Sequence, residues 1–165
     1  MNMKNLTLLL GFTIIIISGC SHAQDNGTVE EENDVKLKTE VKPVNPNWNK
    51  LTEEEAYVII DKGTERPFKG KYAESKTEGT YLCKQCNAEL FESSSKFDSG
   101  TGWPSFDEFI GQSVEELLDG DGYRSEIVCA NCKGHLGHVF FNEGFTDKNT
   151  RHCVNSISLN FEPAQ

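Results

Sequence analysis

Apolar and polar positions divide the chain into three stretches. Leu6–Ile17 is apolar apart from Thr7 and Thr13. Ser21 to about Pro46 has no aromatic residue, and Glu30, Glu31, Glu32, Asp34 and Glu40 interleave there with Lys36, Lys38 and Lys42. Such a stretch cannot bury enough surface to offset the entropy of ordering it, so it reads as a tether. From Trp48 onward, short apolar runs alternate with glycines and polar turns. Thr52 and Glu55 form a capping box ahead of Ala56-Tyr57-Val58-Ile59-Ile60, which predicts a helix from Glu53 to about Lys62, closed by Gly63. Short runs punctuated by glycines and polar turns predict strands at Gly79–Leu82, Glu89–Phe91, Tyr123–Val128, His138–Asn142 and Ser156–Phe161. Helical periodicity is weak after residue 65, apart from a possible turn at Ser113–Leu118. The pattern predicts a mainly β domain over 47–165, with short helices at its start.

The first stretch has the form of an export signal. Lys4 precedes an apolar run too short for a transmembrane helix, which needs about 20 apolar residues. Small residues and Cys20 follow, in Ile17-Ser18-Gly19-Cys20. These four residues resemble the lipobox of bacterial lipoproteins. The resemblance implies a signal peptide over 1–19, diacylglycerol on the Cys20 thiol, and an acidic tether over 20–46 at the cell envelope, on its periplasmic face or the cell surface. Stable anchoring takes more than one acyl chain, as a lipidated N-terminal cysteine normally carries. The alternative is an ordinary secreted chain in which Cys20 has no such role.

Composition narrows the partners. The formal net charge is −10. That excludes a cationic footprint for nucleic acid and a purely electrostatic hold on anionic lipid.

Four of the remaining five cysteines pair up. Cys83-Lys-Gln-Cys86 and Cys129-Ala-Asn-Cys132 are two Cys-x-x-Cys knuckles separated by 42 residues. Such a turn presents two sulfurs to one point, and two turns supply the four thiolates of a structural zinc site with no position left open for catalysis. Disulfides or redox-active thiols are the competing readings in an oxidising compartment.

Cys153 stands apart in Arg151-His152-Cys153-Val154-Asn155. On a strand, Arg151, Cys153 and Asn155 share a face, and cationic or hydrogen-bonding neighbours lower a thiol's pKa. The bland reading is a small buried hydrophobe. Gly134-His135-Leu136-Gly137-His138 adds two histidines able to move protons near neutral pH. Lys96–Phe106 is rich in turn formers yet carries Phe97, Trp103 and Phe106, so Trp103 is a candidate pocket wall.

Together, Cys83–Cys86, Glu89–Phe91, Lys96–Phe106, Cys129–Cys132, His135–Phe140 and Arg151–Phe161 resemble the B-type methionine sulfoxide reductases, the peptide-methionine (R)-S-oxide reductases. The resemblance implies two antiparallel sheets and one structural zinc ion on the four knuckle cysteines, at the end away from the active site. It implies that Cys153 attacks the sulfur of a methionine (R)-sulfoxide in an oxidised protein and becomes a sulfenic acid. His135 and His138 would polarise the sulfoxide oxygen and supply protons. Trp103 and Phe106 would bind the substrate, and Arg151 and Asn155 would support the thiolate and the polar side of the pocket. Many members carry a resolving cysteine where this chain has Thr101, so an external thiol such as a thioredoxin-like protein is expected to regenerate a monomeric, one-cysteine enzyme. The alternative is a non-catalytic, zinc-ribbon-like lipoprotein that grips a partner peptide with the Trp103 loop.

Overall fold

The computed structural model describes residues 45–165. The expected signal peptide, Cys20 and nearly all of the tether lie outside the described residues.

The capping box forms as read. Thr52 Oγ1 accepts from the Glu55 N–H at 3.2 Å, and the Glu55 carboxylate accepts from the Thr52 N–H at 2.9 Å. Helix α1 runs Glu53–Ile59, shorter than expected. Asp61 N–H still donates to the Ala56 carbonyl, but Lys62 turns left-handed at φ 60°, and Gly63 N–H donates back to Tyr57. The reversal thus falls on Lys62, one residue before the glycine. Gly63 is needed for another reason: a Cβ there would lie 2.3 Å from the Tyr57 ring. Among the described residues α1 is the one α-helix.

Two antiparallel sheets carry the rest, as the resemblance implied. The smaller joins β1 (Gly79–Cys83), β2 (Glu89–Glu92) and β9 (Leu159–Pro163) in the order β2-β1-β9. The larger contains β3 (Lys96–Phe97), β4 (Ser105–Phe106), β5 (Val114–Leu118), β6 (Ser125–Cys129), β7 (His135–Phe141) and β8 (Thr150–Val154), in the order β3-β4-β8-β7-β6-β5. The possible helical turn at Ser113–Leu118 is instead strand β5. It pairs with β6 from Val114–Cys129 to Leu118–Ser125. Its Glu-Glu-Leu-Leu run has good intrinsic helix formers, but strand pairing overrides that weak preference. The last expected strand starts late, because Ser156–Ser158 forms a 3-10 turn first.

The core lies between the sheets. Tyr81, Leu90, Phe91 and Leu159 from the smaller sheet meet Phe106, Ile127, Leu136 and Val154 from the larger. Phe91 and Phe106 stack with ring centroids 4.3 Å apart. Phe106 is fully buried there and so belongs to the core. Burying one such ring contributes about 2–3 kcal/mol. Strand β8 lies inside its sheet between β4 and β7, so Cys153 sits opposite Ser105 on one side and His138 on the other.

Candidate active site

The two knuckles have the same local structure. Asn87 and Lys133 follow the second cysteine of each pair, both left-handed with φ of 58° and 62°. Their N–H groups donate back to the carbonyls of Cys83 and Cys129 at 2.9 and 2.8 Å. Cys83 and Cys129 in turn donate to the carbonyls of Ala88 and Gly134. Each turn closes on itself and aims two sulfurs the same way. All four sulfurs lie within 4.8 Å of one another, with Cys83 to Cys132 and Cys86 to Cys129 at 3.5 Å. A tetrahedral ion with metal–sulfur bonds of 2.3 Å sets its ligands about 3.8 Å apart. The donor set and its spacing therefore fit a metal ion held by four thiolates. None of the four lines the cavity around Cys153.

That cavity has a volume of about 140 Å³. It is lined by Cys153 and His138 together with Trp103, Asn155, Thr64 and Arg124. Trp103 also borders a much larger open groove of about 1180 Å³. Glycine at 137 lets β7 lie close against β8 beneath the cavity. A Cβ there would meet the Cys153 carbonyl oxygen at 1.9 Å.

Burial pushes the Cys153 thiol above its ordinary pKa; the Arg151 guanidinium and the Thr101 hydroxyl pull the other way without winning. The sequence pointed to a lowered value because neighbours in sequence show charge but not desolvation. Arg151 is also held by groups on its other side. It grips Glu143 through Nε at 2.6 Å and a terminal nitrogen at 3.1 Å, and its guanidinium lies 4.3 Å above the Phe140 ring. Thr101 is one end of a hydroxyl chain. Its Oγ1 lies 2.8 Å from that of Ser99, which lies 2.8 Å from that of Ser105, opposite Cys153.

The two histidines differ. His138 Nε2 donates to Asp119 at 2.6 Å, and Asp119 is also paired with Arg124 at 3.2 Å. His135 is only 2% exposed and does not line the cavity. It stands behind His138, ring centroids 5.6 Å apart, and donates from Nδ1 to Glu126 at 2.8 Å. Burial holds its pKa below the ordinary imidazole value, against the pull of Glu126.

Trp103 and Asn155 are tied together through Glu65. Trp103 Nε1 donates to the Glu65 carbonyl at 3.1 Å, and Glu65 N–H donates to Asn155 Oδ1 at 3.0 Å. Asn155 Nδ2 donates to the Leu136 carbonyl at 3.1 Å. The Glu65 carboxylate accepts from the N–H groups of Ser156 and Ile157. Asn155 thus braces the wall while also facing the cavity.

Cys153, His138, Trp103 and Asn155 are therefore brought together as read, and His135 and Arg151 stand one layer back. Phe106 is not at the site. Thr64, Glu65, Asp119, Arg124, Glu126 and Lys62 went unread in the sequence. Only Glu126 carried a signal, as a carboxylate on the face of β6 that Val128 shares, where an apolar residue belongs.

A model of the SelR domain matches residues 51–163, which includes every residue of this site. The chain belongs to the SelR family. Over 99% of its length, and 98% of the relative's, it is 40% identical to peptide methionine sulfoxide reductase B3 of Arabidopsis thaliana. Peptide methionine sulfoxide reductase MsrB of Methanosarcina barkeri is 47% identical over 70% of this chain and 83% of its own. A chloroplastic B3 relative in Oryza sativa subsp. japonica is 50% identical over 71% of this SelR chain and 52% of its own.

Proposed function

We infer that this chain reduces methionine (R)-sulfoxide in oxidised proteins, with Cys153 as the nucleophile. The observation that carries the reading is one small cavity holding Cys153, His138 and Trp103 inside a SelR domain. The sulfoxide methyl group lies against Trp103, and the oxygen faces His138, with Asn155 on the polar wall. The Cys153 thiolate attacks the substrate sulfur as the oxygen takes up a proton. The S–O bond to methionine breaks, the oxygen passes to Cys153 as a sulfenic acid, and methionine leaves. The raised thiol pKa suits this order: Cys153 waits as a thiol, and its proton is available when the substrate has displaced water. An external thiol then condenses with the sulfenic acid, releasing water, and a second thiol clears the mixed disulfide. A thioredoxin-like protein fits that role.

Supporting roles follow from the same reading. Cys83, Cys86, Cys129 and Cys132 hold one structural zinc ion, which ties β1 to β6 and takes no part in the reaction. Zinc suits four soft thiolates with no open position. Cys20 carries the lipid that holds the chain at the bacterial envelope, and the acidic tether lets a monomeric domain reach oxidised proteins there. Among the described residues no helix is long and apolar enough to cross a membrane.

The test is turnover of the two epimers of dabsyl-methionine sulfoxide with dithiothreitol, for the wild type and Cys153→Ser. Turnover of the R epimer alone, lost in the variant, is expected. Equal and negligible turnover in both would overturn the enzyme reading, and turnover confined to the S epimer would overturn the substrate assignment.

A further inference from the structure

His135 has one nitrogen without a partner. Its Nδ1 is bound to Glu126, while Nε2 is buried and accepts or donates no hydrogen bond within the protein. A buried polar atom left open is costly, and one beside the cavity-lining His138 is placed to meet a water or a substrate oxygen. The other side of the ring is unusually well defined. Glu126 is 1% exposed on β6, and its two oxygens are divided between His135 at 2.8 Å and Lys62 Nζ at 2.7 Å. Lys62 reaches in from the left-handed turn after α1, and its side chain is 57% exposed. Solvent cation, buried carboxylate and buried imidazole thus form a line ending beside His138.

We propose that Glu126 and Lys62 are positioning residues that set the tautomer and proton affinity of His135, so that its Nε2 handles the proton delivered to the sulfoxide oxygen. This rests on the reductase reading above. A carboxylate on Nδ1 keeps the ring proton there and leaves Nε2 free to take a proton and give it up, the same logic by which a buried acid supports a catalytic histidine. Glu126 favours the imidazolium as it forms, and Lys62 opposes it. The charged and titratable groups facing the His135 ring are Glu126 from β6, His138 from β7 and Lys62 beyond α1, and their signs follow the same division. Burial works to raise the Glu126 pKa, but hydrogen bonds from Lys62 and His135 outweigh it and keep the carboxyl ionised.

The two partners therefore make opposite predictions. Glu126→Gln keeps the shape and an oxygen for Nδ1–H but removes the charge, so the His135 titration midpoint should fall. Lys62→Met removes the opposing cation, so the midpoint should rise. The imidazole midpoints are read by NMR on the full chain, with His135 assigned by comparison with His135→Gln. In the sulfoxide assay, kcat of Glu126→Gln should drop about 10- to 100-fold at neutral pH, with KM within about twofold, the scale on which losing the partner that orients a working histidine is felt. Lys62 is at the surface, so its variant stands as a test even if Glu126→Gln folds poorly. Midpoints that move together or stay still would overturn the proposal, as would equal losses in kcat and substrate binding. Absence of turnover in the wild type would instead strike the reductase reading, and the titration would still decide the coupling.

Discussion

Replacing Gly137 by alanine should disable the site while leaving the domain folded. Gly137 pairs with Val154, one step along the β7–β8 ladder from the His138–Cys153 pair. Its added Cβ would lie 1.9 Å from the Cys153 carbonyl oxygen, 3.0 Å from that carbonyl carbon and 3.2 Å from the Val154 Cα. A carbon and an oxygen need about 3.3 Å even in the closest contacts between strands, so β7 and β8 must part by more than about 1 Å. All the overlapping atoms are backbone, so no side chain can swing aside. A displacement of about 1 Å at reacting groups is worth about 100-fold in rate, and His138 faces Cys153 across this gap. Overpacking of this kind costs about 1–3 kcal/mol, enough to lower Tm by roughly 4–15 °C in a domain of this size. The control is Gly144→Ala. Gly144 has a φ of 75° and open space around its Cβ position, so its variant carries backbone strain alone. The assay is kcat/KM on methionine (R)-sulfoxide beside a thermal melt for each variant. The expected outcome is a loss of about 100-fold in Gly137→Ala and wild-type activity in Gly144→Ala. Wild-type activity in Gly137→Ala, or equal losses in both, would refute the argument from strand separation.

Cys83→Ser should lose the bound metal and thermal stability together, because metal binding to such knuckles is part of folding; retained structure without metal, by metal analysis and circular dichroism, would count against the zinc assignment. Alkylation of Cys153 by iodoacetamide should be slow at neutral pH and climb into the alkaline range, because burial raises the thiol and only thiolate reacts. Arg151→Met, by removing a cation that favours the thiolate, should move that curve further towards high pH, and a shift to low pH would show the sign to be wrong. Oxidised wild type should show no internal disulfide to Cys153 on mass mapping, since the four knuckle sulfurs are gathered on one another. Cys20→Ala should move the protein from the membrane fraction to the soluble fraction.

The sequence made much of the fold legible where the signal was local. The capping box at Thr52 and Glu55, the two knuckles and the short strands each need only a few adjacent residues. It failed where the deciding partner was distant. Ser113–Leu118 reads in isolation as a possible helical turn, and Val114–Leu118 becomes a strand because Ser125–Cys129 offers it a ladder. Phe106 is expected at the pocket only because the family resemblance implies it. The stacking partner that draws it into the core, Phe91, lies on the other sheet, and nothing near Phe106 announces it.

The site divides along the same line. The residues that the sequence offers for the site are distinctive types at short spacing: a lone cysteine, paired histidines, a tryptophan among glycines. The groups that govern those residues are ordinary carboxylates and lysines far away in the chain. Glu65 closes the cavity wall across 90 residues to Asn155, and Lys62 reaches Glu126 across 64. Desolvation is equally non-local: it reverses the expected shift of Cys153 although Arg151 and Thr101 act on the thiol in the anticipated direction. Burial likewise holds the His135 imidazole below its ordinary pKa, against the pull of Glu126. The two perturbations therefore have one cause: the same dry interior that raises the Cys153 thiol favours the neutral imidazole of His135, and neither effect is visible from neighbours in sequence.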